Sequence, residues 1–203
     1  TGSTVTLSAS SAPVFTGAGA GYVYGLLSLL DADNEWFLQT NAGPPHTLSL
    51  RIAGQADPSS HLVEMRRRTY TLDCNGKNYI VVRGLKLRCG DVRMNGTGDV
   101  LDRCDASHLS HFLTYANGYQ NSNGIVVSGT GNTVSNCTIH DTAGCGLLVT
   151  GAGHLLTRNT IYNTDYSGTY SSAISIGAGS TGHTVSFNTA HHSGRDVLYL
   201  AGG

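Results

Sequence analysis

From Gly124 onward, apolar and polar residues alternate in short runs that recur three times, over 124–141, 146–163 and 173–192. Each run holds a short aliphatic strand, a Gly-rich corner and a second alternating strand. The second strand ends in Cys137, Asn159 or Asn188, followed by Thr in every case. The interval is about 22 residues and then about 27 to 29, the period of a solenoid coil. Alternation aims Ile125 and Val127, Leu147 and Val149, and Ile174 and Ile176 to one side. A strand pair this short cannot bury that side alone, but stacked copies build one continuous core. Successive coils would then pair as parallel strands about 4.8 Å apart. A further coil begins at Val197–Leu200. Asn at the aligned position either forms a ladder of side-chain amides between coils or serves only as a turn former.

Upstream, the pattern weakens. Residues 1–21 are Ser, Thr, Ala and Gly, with one strand expected at Thr4–Leu7. Short strands are predicted at Val23–Leu30, Glu35–Gln39 and Thr47–Ile52, with turns at Asp31–Asn34 and Ala42–Pro45. Coils are expected from about Tyr70. Tyr79–Val82 with Leu85–Leu87 forms the first clear pair, and Asp99–His111 the next. The polar insertion Asn117–Asn123 falls where solenoid insertions wall a groove. The expectation is therefore an all-β chain, with a lead-in and strand module over 1–69 and a parallel β-helix over 70–203.

Composition narrows the functional classes. The 203 residues suit one domain, and the net charge of −1 with no basic block argues against nucleic acid. The most apolar run, Val23–Leu30, is too short to span a membrane. A first residue of Thr1 suggests a processed or trimmed product. Gly17–Gly21 alternates Gly and Ala like a dinucleotide fingerprint but lacks the strand–turn–helix setting. Five cysteines without a CxxC make a zinc cluster improbable. Cys137 reads as a buried free thiol. Cys89 and Cys104 are the candidate pair for a bridge between coils, with free thiols as the alternative.

Several segments resemble a known family. Asn34-Glu-Trp-Phe37, Leu48-Ser-Leu-Arg51, Asp57-Pro-Ser59, Val63-Glu-Met-Arg-Arg67 and Asn78-Tyr-Ile-Val-Val-Arg-Gly-Leu85 follow one another here. Ile161-Tyr-Asn-Thr-Asp-Tyr-Ser-Gly168 and His191-His-Ser-Gly-Arg195 come later. In that order, from about Tyr22 onward, they resemble bacterial right-handed parallel β-helix repeat proteins of the pectate-lyase-like superfamily. The resemblance implies a small antiparallel module before the first coil. It also implies a secreted, extracellular protein acting on a polysaccharide, as polysaccharide lyases, glycoside hydrolases and uronate epimerases do. Trp36 then reads as a buried plug where strand module meets solenoid, with sugar stacking as the alternative. Arg66–Arg68 reads as a solvated edge.

The candidate chemistry sits in the turn after the second strand. His140, Tyr162 and His191 share one position there, and Asp141, Asn163 and His192 the next. Asp165 and Tyr166, and Arg195 and Asp196, lie just beyond. Stacking gathers them on one edge within about 10 Å. Arg103, Asp105, His108 and His111, one coil earlier, extend the same groove. The catalytic candidates are His140, Asp141, Asp165, His191, His192 and Arg195; the substrate-binding candidates are Tyr162, Tyr166, Arg103 and His108. For a lyase, Arg195 would meet a uronate carboxylate, His191 or His192 would be the base, and Tyr162 or Tyr166 the acid. For a hydrolase, Asp141 and Asp165 would flank the bond. Each of these residues also suits a polar turn. No cofactor is assigned; for calcium only Asp141, Asp165 and Asp196 offer oxygens.

Thr164–Tyr170 lengthens its coil, which is expected to lift Asp165 above the edge, in one groove with His191, His192 and Arg195. Two other classes remain open: a glycan-binding or adhesion module without turnover, and a structural protein that self-associates end to end. The second draws on Leu200–Gly203, where no cap helix follows the last strand.

Overall fold

The computed structural model describes residues 26–66, 68–110, 124–166 and 171–201. The chain divides into two compact units, 1–63 and 64–203. The first holds an antiparallel pair, β1 (Glu35–Gln39) and β2 (Thr47–Arg51), with Trp36 opposite Leu50 and Leu38 opposite Leu48. The Glu35 carboxylate accepts the N–H groups of Asp31 and Ala32 at 2.8 Å, which fixes the turn before β1. The strand expected over Val23–Leu30 is not formed in its described part, where Leu27–Leu29 is a 3-10 turn. Trp36 is not a buried plug, since 63 % of it is exposed. The strand expected at Thr4–Leu7 lies outside the described residues.

The second unit is a solenoid with three strands per coil, where the sequence pattern suggested two. Coil one has β3 (Tyr70–Asp73), β4 (Val81–Arg83) and β5 (Lys86–Arg88). Coil two has β6 (Asp91–Met94), β7 (Val100–Asp102) and β8 (Asp105–Ser107). Coil three has β9 (Ile125–Val127), β10 (Thr133–Ser135) and β11 (Thr138–Thr142). Coil four has β12 (Leu147–Val149), β13 (Leu155–Thr157) and β14 (Thr160–Thr164). Coil five has β15 (Ser172–Ile176), β16 (Thr184–Ser186) and β17 (Thr189–Ser193), and β18 (Asp196–Leu200) opens the next. Like strands stack into three parallel sheets: β3-β6-β9-β12-β15-β18, β4-β7-β10-β13-β16 and β5-β8-β11-β14-β17.

The extra corner lies inside what reads as one alternating strand. Gly84, Arg103, Asn136, Arg158 and Phe187 take φ between 52° and 65°, bending the chain in a single residue. Only one of the five is Gly, so the bend leaves little mark on the sequence. From Cys104 upward, the next residue then points inward. Asn159 accepts the N–H of Cys137 at 3.0 Å and donates to Val134 O at 2.9 Å. Asn188 accepts the N–H of Asn159 at 2.9 Å and donates to Leu156 O at 2.9 Å. The amide ladder is therefore real, and Cys104 N–H extends it downward to Cys137 Sγ at 3.4 Å.

Inside, Ile125, Leu147 and Ile174 form one column, Leu101, Val134 and Leu156 a second, and Ala106, Ile139 and Ile161 a third. All nine are buried in one cluster. Fully burying each large aliphatic side chain contributes about 1.5–3 kcal/mol. Cys137 is a buried free thiol, and burial pushes its pKa up to about 12. Cys89 and Cys104 are free and do not form the bridge considered above. Arg66 is not a solvated edge: its guanidinium lies 3.8 Å from the buried Asp91 and donates to the carbonyls of Arg68 and Thr69 at 3.0 Å. Among the described residues no helix is long and apolar enough to cross a membrane.

Candidate functional site

The third sheet carries the candidate site on its outer side. Leu87, Ala106, Ile139, Ile161 and Ala190 pack inward, so their neighbours on either side lie on the outer side of the sheet, where Ser107 alone of them is fully buried. The outer row before them runs Lys86, Asp105, Thr138, Thr160, Thr189; the row after them runs Arg88, Ser107, His140, Tyr162, His191. One position on, Cys89, His108, Asp141, Asn163 and His192 repeat a left-handed φ of 50–56°. That local turn swings a third row toward the second and creates the polar contacts between them.

His140, Tyr162 and His191 form a continuous ring stack. Centroids are 5.0 and 5.3 Å apart, and the planes agree within 7° and 9°. Stacking hides the ring faces, so the row offers its polar edges outward. His191 meets His192 edge-on, with the two Nδ1 atoms 2.6 Å apart and one of them donating.

At the centre, His140 is held by two carboxylates. Its Nδ1 lies 2.7 Å from Asp141 Oδ2 and its Nε2 3.1 Å from Asp105 Oδ1. Asn163 donates to the other oxygen of Asp141 at 3.1 Å. Burial works to raise the Asp141 pKa, but hydrogen bonds from His140 and Asn163, with the positive charge of His140 and His108, hold it below its ordinary 3.8. With a proton on each nitrogen the imidazole donates to both carboxylates; with only one, a carboxyl must supply the second proton. Asp105, His140 and Asp141 therefore share protons within one hydrogen-bonded set.

Of the predicted residues, His140, Asp141, Tyr162, His191 and His192 come together here. His108 joins them from coil two, exposed and close enough to act on the Asp141 charge. Asp165 does not. It is 0 % exposed, its N–H donates to Gly144 O at 2.9 Å, and its carbonyl lies under Gly194. Its burial closes it off from solvent on the outer side of the sheet. The excursion that follows, 167–170, and His111 lie outside the described residues. Arg195 pairs with Asp196 at 3.4 Å and lies 5.6 Å over the Tyr199 ring. Tyr166 is exposed just after β14 and takes no place in the ring stack. Arg103 is drawn off to the bend before β8, where it and Arg83 sit 3.6 and 3.4 Å from Asp102. Asn136 and Ser135 hydrogen-bond that carboxylate and hold its pKa below the ordinary value.

The carboxylates offered for calcium are not gathered either. Asp141 is committed to His140 and Asn163, Asp165 is buried, and Asp196 faces Arg195. Among the described residues no three His, Cys, Asp or Glu side chains are placed to hold a metal ion. Sequence reasoning underweighted Asp105 and passed over Lys86 and Arg88. The missed signal was register: Lys86 stands one coil below Asp105, and Arg88 one coil below Ser107, which in turn pairs with His140.

Three parallel sheets wound coil upon coil define a parallel β-helix protein. Residues 123–203 match the family model of the right handed beta helix region, and the three stacked parallel sheets fit that fold. No curated protein and no solved structure matches the chain.

Proposed function

We propose that this chain is a secreted carbohydrate-active protein that acts on a polysaccharide along the outer side of the third sheet. The observation that carries the reading is the pair Asp105 and Asp141, one imidazole apart, set in a row of polar ring edges. Parallel coils repeat at about the length of one sugar residue in an extended chain, so the row offers one polar edge per sugar. In hydrolysis, the protonated member of the Asp105–His140–Asp141 set delivers its proton to the glycosidic oxygen as the bond breaks. The ionised Asp141 takes a proton from the attacking water, or attacks the anomeric carbon itself. In elimination, Tyr162 or His191 removes the proton next to a uronate carboxylate and the neighbouring ring of the stack protonates the departing glycosidic oxygen, while Lys86 and Arg88, at the lower end of the row, meet carboxylates of sugars further along the chain.

The fold supports the reading because right-handed β-helices are often carbohydrate-active. Incubation with a panel of neutral and uronate glycans tests it. Reducing ends without an ultraviolet-absorbing product mean hydrolysis, and absorbance from an unsaturated sugar means elimination. Asp141→Asn is expected to cut turnover by about a hundredfold or more while the melting temperature moves only a few degrees. No product from any glycan, with folded protein, rejects catalysis.

A second reading, glycan binding without turnover, is favoured by one detail: His140 and Asp141 already spend both ring nitrogens and both oxygens on neighbours. Isothermal titration showing affinity without product selects it.

A further inference from the structure

A second ladder runs inside the corner before β7, β10, β13 and β16. Each coil places a Gly in left-handed conformation there, Gly98, Gly131, Gly153 and Gly182, followed by Asp99, Asn132, His154 and His183. The second residue of each pair turns its side chain inward and accepts a backbone N–H from the coil below. Asp99 accepts from Ile80 at 2.9 Å and Asn132 from Asp99 at 2.8 Å. His154 Nδ1 accepts from Asn132 at 3.0 Å, and His183 Nδ1 from His154 at 3.2 Å. The two imidazoles stack with centroids 5.0 Å apart and planes within 5°.

These contacts fix the tautomer. A nitrogen that accepts an N–H carries no proton, so both rings hold their proton on Nε2. In His154 that Nε2–H donates to Thr150 O at 2.8 Å. A second proton would have to sit on Nδ1, facing a backbone N–H, and the acceptor would become a donor. Both rungs would break, and two like charges would face each other across the stack.

We infer that His154 and His183 are an acid-sensitive clasp that holds coils three, four and five together in the neutral state and loosens them on protonation. The same coils carry His140, Tyr162 and His191, so the clasp would act on the geometry of that row. The inference itself stands without the functional reading.

The surroundings agree. Burial lowers the pKa of His154, against a smaller raising effect of the Thr150 carbonyl; burial, then the charge of His154, lowers that of His183. Among the described residues the only titratable group that faces each ring is the other ring, and Asn132 separates them from Asp99. A folded-state pKa below the ordinary 6.5 means the unfolded chain binds more protons in that window. The stabilisation is complete above about pH 6.5 and is lost as pH falls through the lowered values.

Asn132 supplies the control. It makes the same pair of bonds as His154, accepting from the coil below and donating to the carbonyl four residues back, Ser128 O at 2.6 Å. Asn at 154 and 183 should therefore keep the ladder but cannot titrate. The test compares the full chain with His154→Asn/His183→Asn by thermal melting from about pH 7.5 to about pH 5. The unsubstituted protein should lose about 3 °C or more beyond what the double variant loses. Parallel curves would overturn the clasp. Should the double variant fail to fold, nitrogen NMR of the unsubstituted chain decides. A neutral Nε2–H tautomer that persists below about pH 6 supports the clasp, and rings already doubly protonated at that pH overturn it.

Discussion

Asn159 shows how much one side chain carries on this scaffold. It receives the Cys137 N–H, donates to Val134 O, and meets Asn188 above. Asn159→Ala would leave a buried N–H and a buried carbonyl unpaired. The expected cost is about 1–3 kcal/mol for each group so exposed, read as a lower urea midpoint with little change in slope. Gly151 is the backbone counterpart. Its φ is 94°, and a Cβ there would collide with the carbonyl oxygen of Gly129 one coil below. Gly151→Ala is expected to cost about 2 kcal/mol or more by chemical denaturation, against near neutrality at an open, extended position. The alignment of Asn159 with Asn188 was legible because amide and following Thr repeat together. The buried fate of Asp165 was not, because the same residue type opens exposed turns and lines buried corners, and only the path of the corner tells them apart.

At the scale of the strand, what was legible was inward alternation. Ile125, Leu147 and Ile174, read as one face, stack in one column. The split between β10 and β11, and between β13 and β14, was hidden. Asn136 and Arg158 bend the chain without the Gly or Pro that usually marks a corner. The Gly–Asn and Gly–His pairs of the inner ladder were visible only as part of the Gly-rich corner. The stacked columns make a packing prediction. Ile161 is buried in contact with the coils on both sides, so Ile161→Ala should cost about 2–5 kcal/mol in equilibrium unfolding.

For the whole molecule, the division at Val63 and Glu64 leaves every coil strand in one unit. The solenoid's hydrogen bonds run coil to coil, so each coil depends on its neighbours rather than on distant parts of the chain. A chain covering 64–203 is therefore expected to keep its β-sheet circular dichroism and a cooperative melt. Loss of both would show that residues 1–63 are needed for the coils to form.

The single-residue bend also says where this chain can change length. From Val134 to Ile139, from Leu156 to Ile161 and from Val185 to Ala190 the path between the second and third sheets never varies. The separation between stacked partners nonetheless ranges from 19 to 33 residues elsewhere around the coil. All the slack is taken up at the other two corners. For an engineer, the bend is a closed joint and those corners are ports. A peptide grafted between Ser135 and Thr138 would break a ladder rung and shear the stacked rings. The same peptide placed at either of the other corners would lengthen a connection whose size already differs from coil to coil.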